Sequence, residues 1–247
     1  MVYILSLYYL NIVKIMDMSI KKEFSKYANE YNDNNIIQKI VAKSLIRDIK
    51  GNPKKILELG SGTGQIYKDI SWDTNYYKAV DFSQNMCDLH PRNINLDVEC
   101  CDFDTDFFWN SMKNDRFDIV ISSSSLQWSK NIDNILKNIS YISSDINLAL
   151  FTSNTFKAIQ KITNNPSPIL SIDNIKNSCS KYFKCEFEII EYKLEFENKK
   201  DIFKYIKNSG VSGQRDRMGY KESKNLFEKY HLNYLEFEVI FVKGVLL

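Results

Sequence analysis

The middle of the chain alternates between short apolar runs and longer polar stretches. Five apolar runs have the length and residue types of buried β-strands, and we place these strands at residues 55–59, 77–80, 98–101, 117–122 and 146–152. The stretches between them have helical spacing, most clearly at 132–142, where isoleucine and leucine recur every three or four residues. Strands that alternate with helices predict an α/β fold, in which helices cover both faces of a mostly parallel sheet.

The flanking segments extend this pattern. Apolar positions in 19–49 recur with helical spacing, and Gly51-Asn52-Pro53 ends the predicted helix. After the fifth strand we predict two more helices and then two more strands, at 156–162, 173–182, 186–197 and 235–242, respectively.

The first residues are apolar but do not resemble a signal peptide or a membrane anchor. No basic residue precedes the apolar run at 1–15, and Asn11 and Lys14 interrupt it. The run is also shorter than the roughly 20 residues that span a bilayer. We therefore expect residues 1–17 to be an N-terminal extension, with translation beginning at Met16 or Met18, and residues 18–247 to form a single domain.

Charge and composition argue against several classes of function. Lysine and arginine number 33 against 31 aspartates and glutamates, so the net charge of +2 gives no general affinity for nucleic acid. The five cysteines lack the CxxC spacing of zinc sites, and His90 and His231 are the only histidines. We therefore expect reduced thiols in a cytoplasmic protein that binds no metal, no nucleic acid and no membrane.

A glycine-rich sequence, Glu58-Leu59-Gly60-Ser61-Gly62-Thr63-Gly64, directly follows the first strand and precedes a stretch compatible with helix. Glycine permits positive φ and lets a ligand approach the backbone closely. The GxGxG spacing is tighter than the dinucleotide pattern GxGxxG, in which a pyrophosphate lies at a helix N-terminus. The tighter turn suits an uncharged ribose and an amino-acid tail. Alone, the loop could also be a strand-to-helix turn that binds no ligand.

Polar residues also follow the next three strands. Asp81 could accept hydrogen bonds from ribose hydroxyls or could cap the following helix. Asp102 could accept a hydrogen bond from an adenine amino group or could lie on a surface turn. The fourth strand ends at Ser122. Because ligands of open α/β sheets bind at the carboxyl ends of the strands, these segments and the glycine loop predict one shared site.

The glycine loop, Asp81, Asp102 and the strand ending at Ser122 resemble the class I S-adenosylmethionine-dependent methyltransferases. Three further segments resemble the malonyl-acyl-carrier-protein O-methyltransferase family of biotin synthesis, namely Phe24 to Tyr31, Leu126-Gln127-Trp128, and Tyr205 to Val211. The resemblance covers residues 20–243. The chain departs from that family at Glu58, where aspartate is more common, and at 144–147, which lacks the glycine pair usual before the fifth strand.

This resemblance implies a Rossmann-like fold with a mostly parallel, seven-stranded sheet and an antiparallel C-terminal strand. It divides the domain into a helical lid at 18–50, a cofactor-binding half at 51–152 and a substrate-side half at 153–247. The residues it implies as contacts of S-adenosylmethionine, or of the product S-adenosylhomocysteine, are Glu58, Gly60, Ser61, Gly62, Gly64, Asp81, Phe82, Cys101, Asp102, Phe103 and Ser122.

The resemblance further implies that the acceptor is the free carboxylate of a malonyl group on acyl carrier protein. No catalytic base is assigned, because a carboxylate is already ionised near pH 7. The substrate residues would be Phe24, Tyr31, Gln127 and Trp128, and the candidates for positioning the reactants are Tyr31, Ser122, Gln127 and Trp128. Packing of the first helix on the sheet would explain Phe24 and Tyr31 equally well.

The sequence offers several candidates for the basic residues that would bind the acceptor. The cation for the malonyl carboxylate could be Arg92, Arg116, Arg215 or Arg217. Acyl carrier proteins are acidic, so the docking face should be basic. Two lysine clusters are candidates for it, one at Lys199, Lys200, Lys204 and Lys207 and the other at Lys21, Lys22 and Lys26.

Two other functions fit the same pattern. The chain could be a class I methyltransferase that acts on another small metabolite, or a module that binds the adenosyl cofactor without catalysis. A nicotinamide oxidoreductase fits less well, because residue 65 is glutamine where the longer dinucleotide loop would have its third glycine.

Overall fold

The computed structural model describes residues 35–208 and 220–247 of the chain. Its helices are α1 (Ile36–Arg47), α2 (Gln65–Asp69), α3 (Gln84–Leu89), α4 (Asp106–Ser111), α5 (Ile132–Ile142), α6 (Lys157–Thr163), α7 (Ile172–Cys179), α8 (Lys199–Asn208) and α9 (Tyr220–Lys229). Its strands are β1 (Lys55–Leu59), β2 (Tyr76–Asp81), β3 (Leu96–Cys100), β4 (Ile119–Ser123), β5 (Asp145–Phe151), β6 (Phe183–Glu195) and β7 (Tyr234–Leu246). A 3₁₀ turn, Leu126–Trp128, lies between β4 and α5.

These strands form one sheet in the order β3-β2-β1-β4-β5-β7-β6. The neighbouring strands from β3 to β5 are parallel, whereas β7 is antiparallel to both β5 and β6. The predicted Rossmann-like α/β fold with an antiparallel C-terminal strand is therefore confirmed. The strand order reverses at β1, which pairs with β2 on one side and with β4 on the other. A reversal of this kind leaves a crevice beyond the carboxyl ends of β1 and β4.

Several element boundaries differ from the prediction. β4 begins at Ile119 instead of residue 117. Phe117 forms an isolated parallel bridge with Ser143, in which its amide donates to Ile142 O at 2.9 Å, and the Asp118 carboxylate accepts from the Lys54 and Lys55 amides. The predicted strand at 98–101 was placed too late, since pairing with β2 begins at Leu96 and the strand ends at Cys100.

One predicted helix is shorter than expected, and another is described only in part. The helix predicted at 173–182 ends at Cys179, because the chain turns there to begin β6 at Phe183. Of the helix predicted at 19–49, α1 is the part that falls within the described residues, and residues 19–34 lie outside them.

The core has two apolar layers, one on each face of the sheet. α1, α6, α8 and α9 pack on one face, and α4, α5 and α7 pack on the other. Ile56 belongs to the first layer, whereas Leu57 and Leu59 belong to the second. Because successive side chains of a strand point to opposite faces, Glu58 points toward the layer that contains α1.

α1 is also joined to the sheet by a polar contact. The Asn147 side chain on β5 donates to Leu45 O at 2.9 Å, and the apolar side of α1 packs through Ile37, Val41 and Leu45. Within residues 35–208 and 220–247, no helix is long and apolar enough to cross a membrane.

Candidate functional site

The loop between β1 and α2 is folded tightly against its neighbours. The Gly60 amide donates to Val80 O at 2.8 Å, which holds the start of the loop beside β2. Gly60 has φ of +76°, and a Cβ atom there would lie 1.9 Å from Ser125 Oγ. Gly64, where α2 begins, has φ of +79°. The loop therefore needs glycine at Gly60 for two reasons, its left-handed backbone and its close approach to the loop after β4.

Asp81, at the end of β2, holds this loop in place through a hydrogen bond. Its Oδ2 accepts a hydrogen bond from the Gly62 amide at 2.9 Å, and its Oδ1 accepts one from the Ser83 amide at 2.9 Å. Burial raises the pKa of Asp81 to about 6, although both backbone hydrogen bonds favour the ionised form. Each carboxylate oxygen can accept a second hydrogen bond, so the predicted contacts with ribose hydroxyls are compatible with this geometry.

Glu58, on β1, is a buried carboxyl that points toward the α1 layer. The Tyr77 hydroxyl donates to Glu58 Oε2 at 2.5 Å. Burial raises the pKa of Glu58 to about 8, the Tyr77 hydrogen bond opposes this rise, and the nearby Asp81 charge adds to it. Glu58 is therefore mostly protonated near pH 7.

The predicted adenine-side residues follow β2 and β3. The Cys101 amide donates to Asp81 O at 2.9 Å, so the chain after β3 stays close to Asp81. Asp102 Oδ1 accepts from the Asp104 amide at 3.0 Å, which forms a tight turn. Phe103 is buried in the core, and its carbonyl accepts a hydrogen bond from Trp109. Phe82, directly after Asp81, is half-buried.

Three predicted residues near the end of β4 have different surroundings. The Ser122 hydroxyl donates to Leu59 O at 2.7 Å and so joins β4 to β1. Gln127, in the 3₁₀ turn, is 3% exposed, and neither its Nε2 nor its Oε1 has a hydrogen-bond partner among the described residues. Trp128 is half-buried against the layer that contains α1. Gln127 is therefore the predicted residue whose amide remains available for a ligand.

A cavity that is partly open to solvent lies between α1 and the glycine loop. Its walls come from three places, the start of α1, the segment from Glu58 to Ile66, and the chain at the end of β4. The loop and β4 were predicted to contribute to the site, whereas Asn35, the N-cap of α1, and Gln38 in its first turn were not. A weak signal for Gln38 is present in the sequence, since it is a polar residue beside Ile37 and Val41 on the apolar side of α1.

Other candidates are placed as follows. Phe24, Tyr31, Arg215 and Arg217 lie outside the described residues, as do Lys21, Lys22 and Lys26. Arg116 donates to Lys113 O and Asp115 O, before the amino end of β4 and so at the edge of the sheet opposite to the glycine loop. Arg92 donates to Cys87 O at 3.0 Å. Lys200 and Lys204 are exposed on α8, and Lys199 lies 5.1 Å from the centre of the Phe227 ring.

A family model described as a methyltransferase domain matches residues 56–159. That range runs from β1 into α6 and contains the glycine loop, Asp81, Asp102 and the turn after β4. Among curated proteins, the chain is similar to the malonyl-[acyl-carrier protein] O-methyltransferase of Calditerrivibrio nitroreducens. The two are 27% identical over 243 residues, which cover 91% of this chain and 96% of the relative.

Solved structures show the same fold. YcgJ from Bacillus subtilis is similar with a TM-score of 0.58 and 10% identity, over 83% of this chain and 97% of that one. The plantazolicin methyltransferase BpumL, solved in complex with S-adenosylhomocysteine, is similar with a TM-score of 0.51 and 13% identity, over 92% of this chain and 97% of that one. At these identities the likeness establishes the fold.

Proposed function

We propose that this chain, which is a class I S-adenosylmethionine-dependent methyltransferase, methylates the free carboxylate of a malonyl group carried on acyl carrier protein. The observation that carries the choice of acceptor is the similarity to a malonyl-[acyl-carrier protein] O-methyltransferase over 96% of that relative's length. Esterification would remove the charge at the end of the acyl chain. The chain end would then resemble a fatty-acid intermediate that can be elongated toward the pimeloyl precursor of biotin.

The residues beside the glycine loop fit the cofactor. Gln38 and Ser61 are buried in the cavity wall, and their side-chain polar atoms have no hydrogen-bond partner in the described part of the chain. A polar ligand there would supply the missing partners. When bound, S-adenosylmethionine supplies an electrophilic methyl group attached to a sulfonium. Asp81 would hold the ribose, Asp102 would hold the adenine, and the glycine loop would let the cofactor approach the backbone.

Gln127 is the described residue best suited to orient the acceptor. Its amide is buried in the turn after β4, at the same edge of the sheet as the glycine loop. Leaving a buried amide unpaired costs about 1–3 kcal/mol, so we expect a substrate group to complete its hydrogen bonding. In our proposal Gln127 Nε2 donates to one malonyl carboxylate oxygen and leaves the other oxygen to attack the methyl group.

The chain would accelerate this reaction mainly by positioning. The unperturbed pKa of a carboxylic acid is about 4, so the acceptor is ionised at neutral pH and needs no proton transfer before it attacks. Holding an ionised carboxylate beside the methyl group removes the entropic cost of bringing two molecules together. Exclusion of water from the reacting groups would favour a step in which opposite charges are neutralised.

Acyl carrier protein would dock on α8 in this proposal. Lys200 and Lys204 are exposed there, four residues apart, so they lie on the same side of the helix. α8 is held to the core by Ile202 and Tyr205, which are buried. An exposed basic side of a packed helix suits an acidic protein partner.

A comparison of acceptors tests the proposal. Purified protein and S-adenosylmethionine are incubated separately with malonyl, acetyl and succinyl carrier protein, and kcat/KM is measured for each. We expect transfer to the malonyl form, weaker transfer to the longer succinyl form, and none to the acetyl form, which has no free carboxylate. Equal transfer to the acetyl form would refute carboxyl methylation.

Two variants test the role proposed for Gln127, one at that residue and one as a control. Gln127→Leu should raise KM for the malonyl carrier protein and leave the Kd for S-adenosylhomocysteine unchanged. Gln84→Leu, at an exposed position on α3, is the matched control and should change neither value. Tight binding of S-adenosylhomocysteine without transfer to any of the three acceptors would instead favour another small-molecule acceptor or a non-catalytic adenosyl-binding module.

A further inference from the structure

The first turn of α1 forms a polar wall of the cavity beside the glycine loop. Asn35 and Gln38 both line this cavity, and they are only 2% and 6% exposed. Asn35 Oδ1 and both polar atoms of the Gln38 amide lack a hydrogen-bond partner within residues 35–208 and 220–247. Native proteins rarely leave buried amides unpaired, so these atoms need an explanation.

Asn35 is unusual for its position. It occupies the N-cap of α1, where asparagine commonly accepts a hydrogen bond from an amide in the first turn of its own helix. The Asn35 side chain makes no such hydrogen bond. Its oxygen is therefore unused by the helix, although it lies at the wall of the cavity.

Gln38 is held in place by its neighbours. Ile37, Val41 and Leu45 pack against the sheet, which fixes the rotation of α1 and keeps Gln38 turned inward. One helical turn later, Ala42 lines the same cavity with a small side chain. The pairing of a buried amide with a small residue leaves room for a polar ligand at this end of α1.

The chemistry of the wall fits one part of the cofactor. The amino-acid end of S-adenosylmethionine carries an ammonium group, which needs acceptors, and a carboxylate, which needs donors. Asn35 Oδ1 and Gln38 Oε1 are acceptors, and Gln38 Nε2 is a donor. The positive end of the α1 dipole lies at the same wall and favours the carboxylate.

We infer that Asn35 and Gln38 bind the amino-acid end of the cofactor and make the site selective for adenosyl compounds that carry it. The inference rests on the use of S-adenosylmethionine by this chain, and it is independent of the malonyl acceptor. α1 is then a specificity element of the cofactor site as well as a part of the core.

A comparison of two ligands distinguishes cofactor binding by Gln38 from a purely structural role. Kd is measured by calorimetry for S-adenosylhomocysteine and for methylthioadenosine, which keeps the adenosine and the sulfur but lacks the amino-acid end. Gln38→Met keeps a side chain of similar length and removes the amide. We expect it to weaken S-adenosylhomocysteine binding about 10- to 100-fold, as for a lost hydrogen bond to a charged group, and to leave methylthioadenosine binding nearly unchanged.

The control is Lys43→Met, which makes the same new side chain at an exposed position of α1. It should change neither Kd. The melting temperature of ligand-free Gln38→Met should equal or exceed that of the wild type, because an unpaired buried amide is replaced by an apolar group.

Two outcomes would overturn the inference. One is an equal loss of affinity for both ligands in Gln38→Met, which would mean that Gln38 only shapes the cavity. The other is wild-type protein that binds methylthioadenosine as tightly as S-adenosylhomocysteine. No acceptor takes part in these measurements, so a wrong acceptor would leave their results unchanged.

Discussion

The buried Glu58 carboxyl makes the stability of the protein depend on pH in a direction that one substitution can test. Burial raises the pKa of Glu58 from 4.5 to about 8, so the folded protein holds a proton where the unfolded chain releases it. Because the folded state binds more protons in this window, the free energy of unfolding falls as pH rises from 4.5 to about 8. Glu58→Gln keeps an acceptor for the Tyr77 hydroxyl but cannot ionise.

The two pKa values set the size of the effect. Linkage between them gives a destabilisation of about 1 kcal/mol at pH 5 and about 3 kcal/mol at pH 7. The difference of about 2 kcal/mol corresponds to roughly 4–8 °C in melting temperature for a chain of this size. Relative to the wild type, the melting temperature of Glu58→Gln should therefore rise by this amount between pH 5 and pH 7.

Thermal unfolding followed by circular dichroism at pH 5, 6 and 7 measures this difference directly. Glu186→Gln, which removes an exposed glutamate on β6, is the matched control and should follow the wild type at each pH. A melting-temperature difference for Glu58→Gln that stays the same at all three pH values would refute the reasoning. Glu58 would then be ionised in the folded protein throughout the range.

Three further predictions concern the loop, the ribose site and docking. Gly60→Ala should lower the melting temperature more than Gly51→Ala. Both glycines have left-handed φ, of +76° and +79° respectively, but of the two only Gly60 would place a Cβ against Ser125 Oγ. Equal losses of melting temperature in calorimetry would contradict this. Burial raises the pKa of Asp81 to about 6, so wild-type affinity for S-adenosylhomocysteine should fall as pH drops below about 6. Asp81→Asn should bind about 10- to 100-fold more weakly at pH 7 and lose that pH dependence, which titration calorimetry can check. The double variant Lys200→Glu, Lys204→Glu should raise KM for malonyl carrier protein and leave KM for a small malonyl thioester unchanged. An equal rise in KM for both acceptors in steady-state kinetics would argue against docking on α8.

Much of the fold could be predicted because local pattern and tertiary structure agree. β1 and α5 have the predicted bounds, since the apolar residues that define them are also the ones that pack. Residue 117 was assigned to β4 on its hydrophobicity, whereas the strand begins at Ile119, after Asp118, whose carboxylate accepts from the Lys54 and Lys55 amides at the start of β1. That contact joins segments 63 and 64 residues apart, and no local pattern contains it.

The candidate site could be predicted only where a residue follows directly on a predicted strand, because ligands bind at the carboxyl ends of such strands. The glycine loop and Asp81 lie at strand ends, so the sequence could place them together. The surroundings of the other side chains depend on packing, as with the Ser122 hydroxyl, which donates to Leu59 O across β4 and β1. In the sequence alone, Gln38 cannot be distinguished from an ordinary polar residue of a helix. Its burial beside the glycine loop follows from how α1 lies on the sheet.

Intact-mass analysis of malonyl carrier protein tests the central claim most directly. The protein is incubated with S-adenosylmethionine that carries a labelled methyl group, and the carrier is examined before and after treatment with mild base. We predict the gain of one labelled methyl group per malonyl chain and its loss on base hydrolysis, as expected for a methyl ester. A labelled methyl group that resists base, or a carrier mass that does not change while the protein binds S-adenosylhomocysteine, would contradict the proposed reaction.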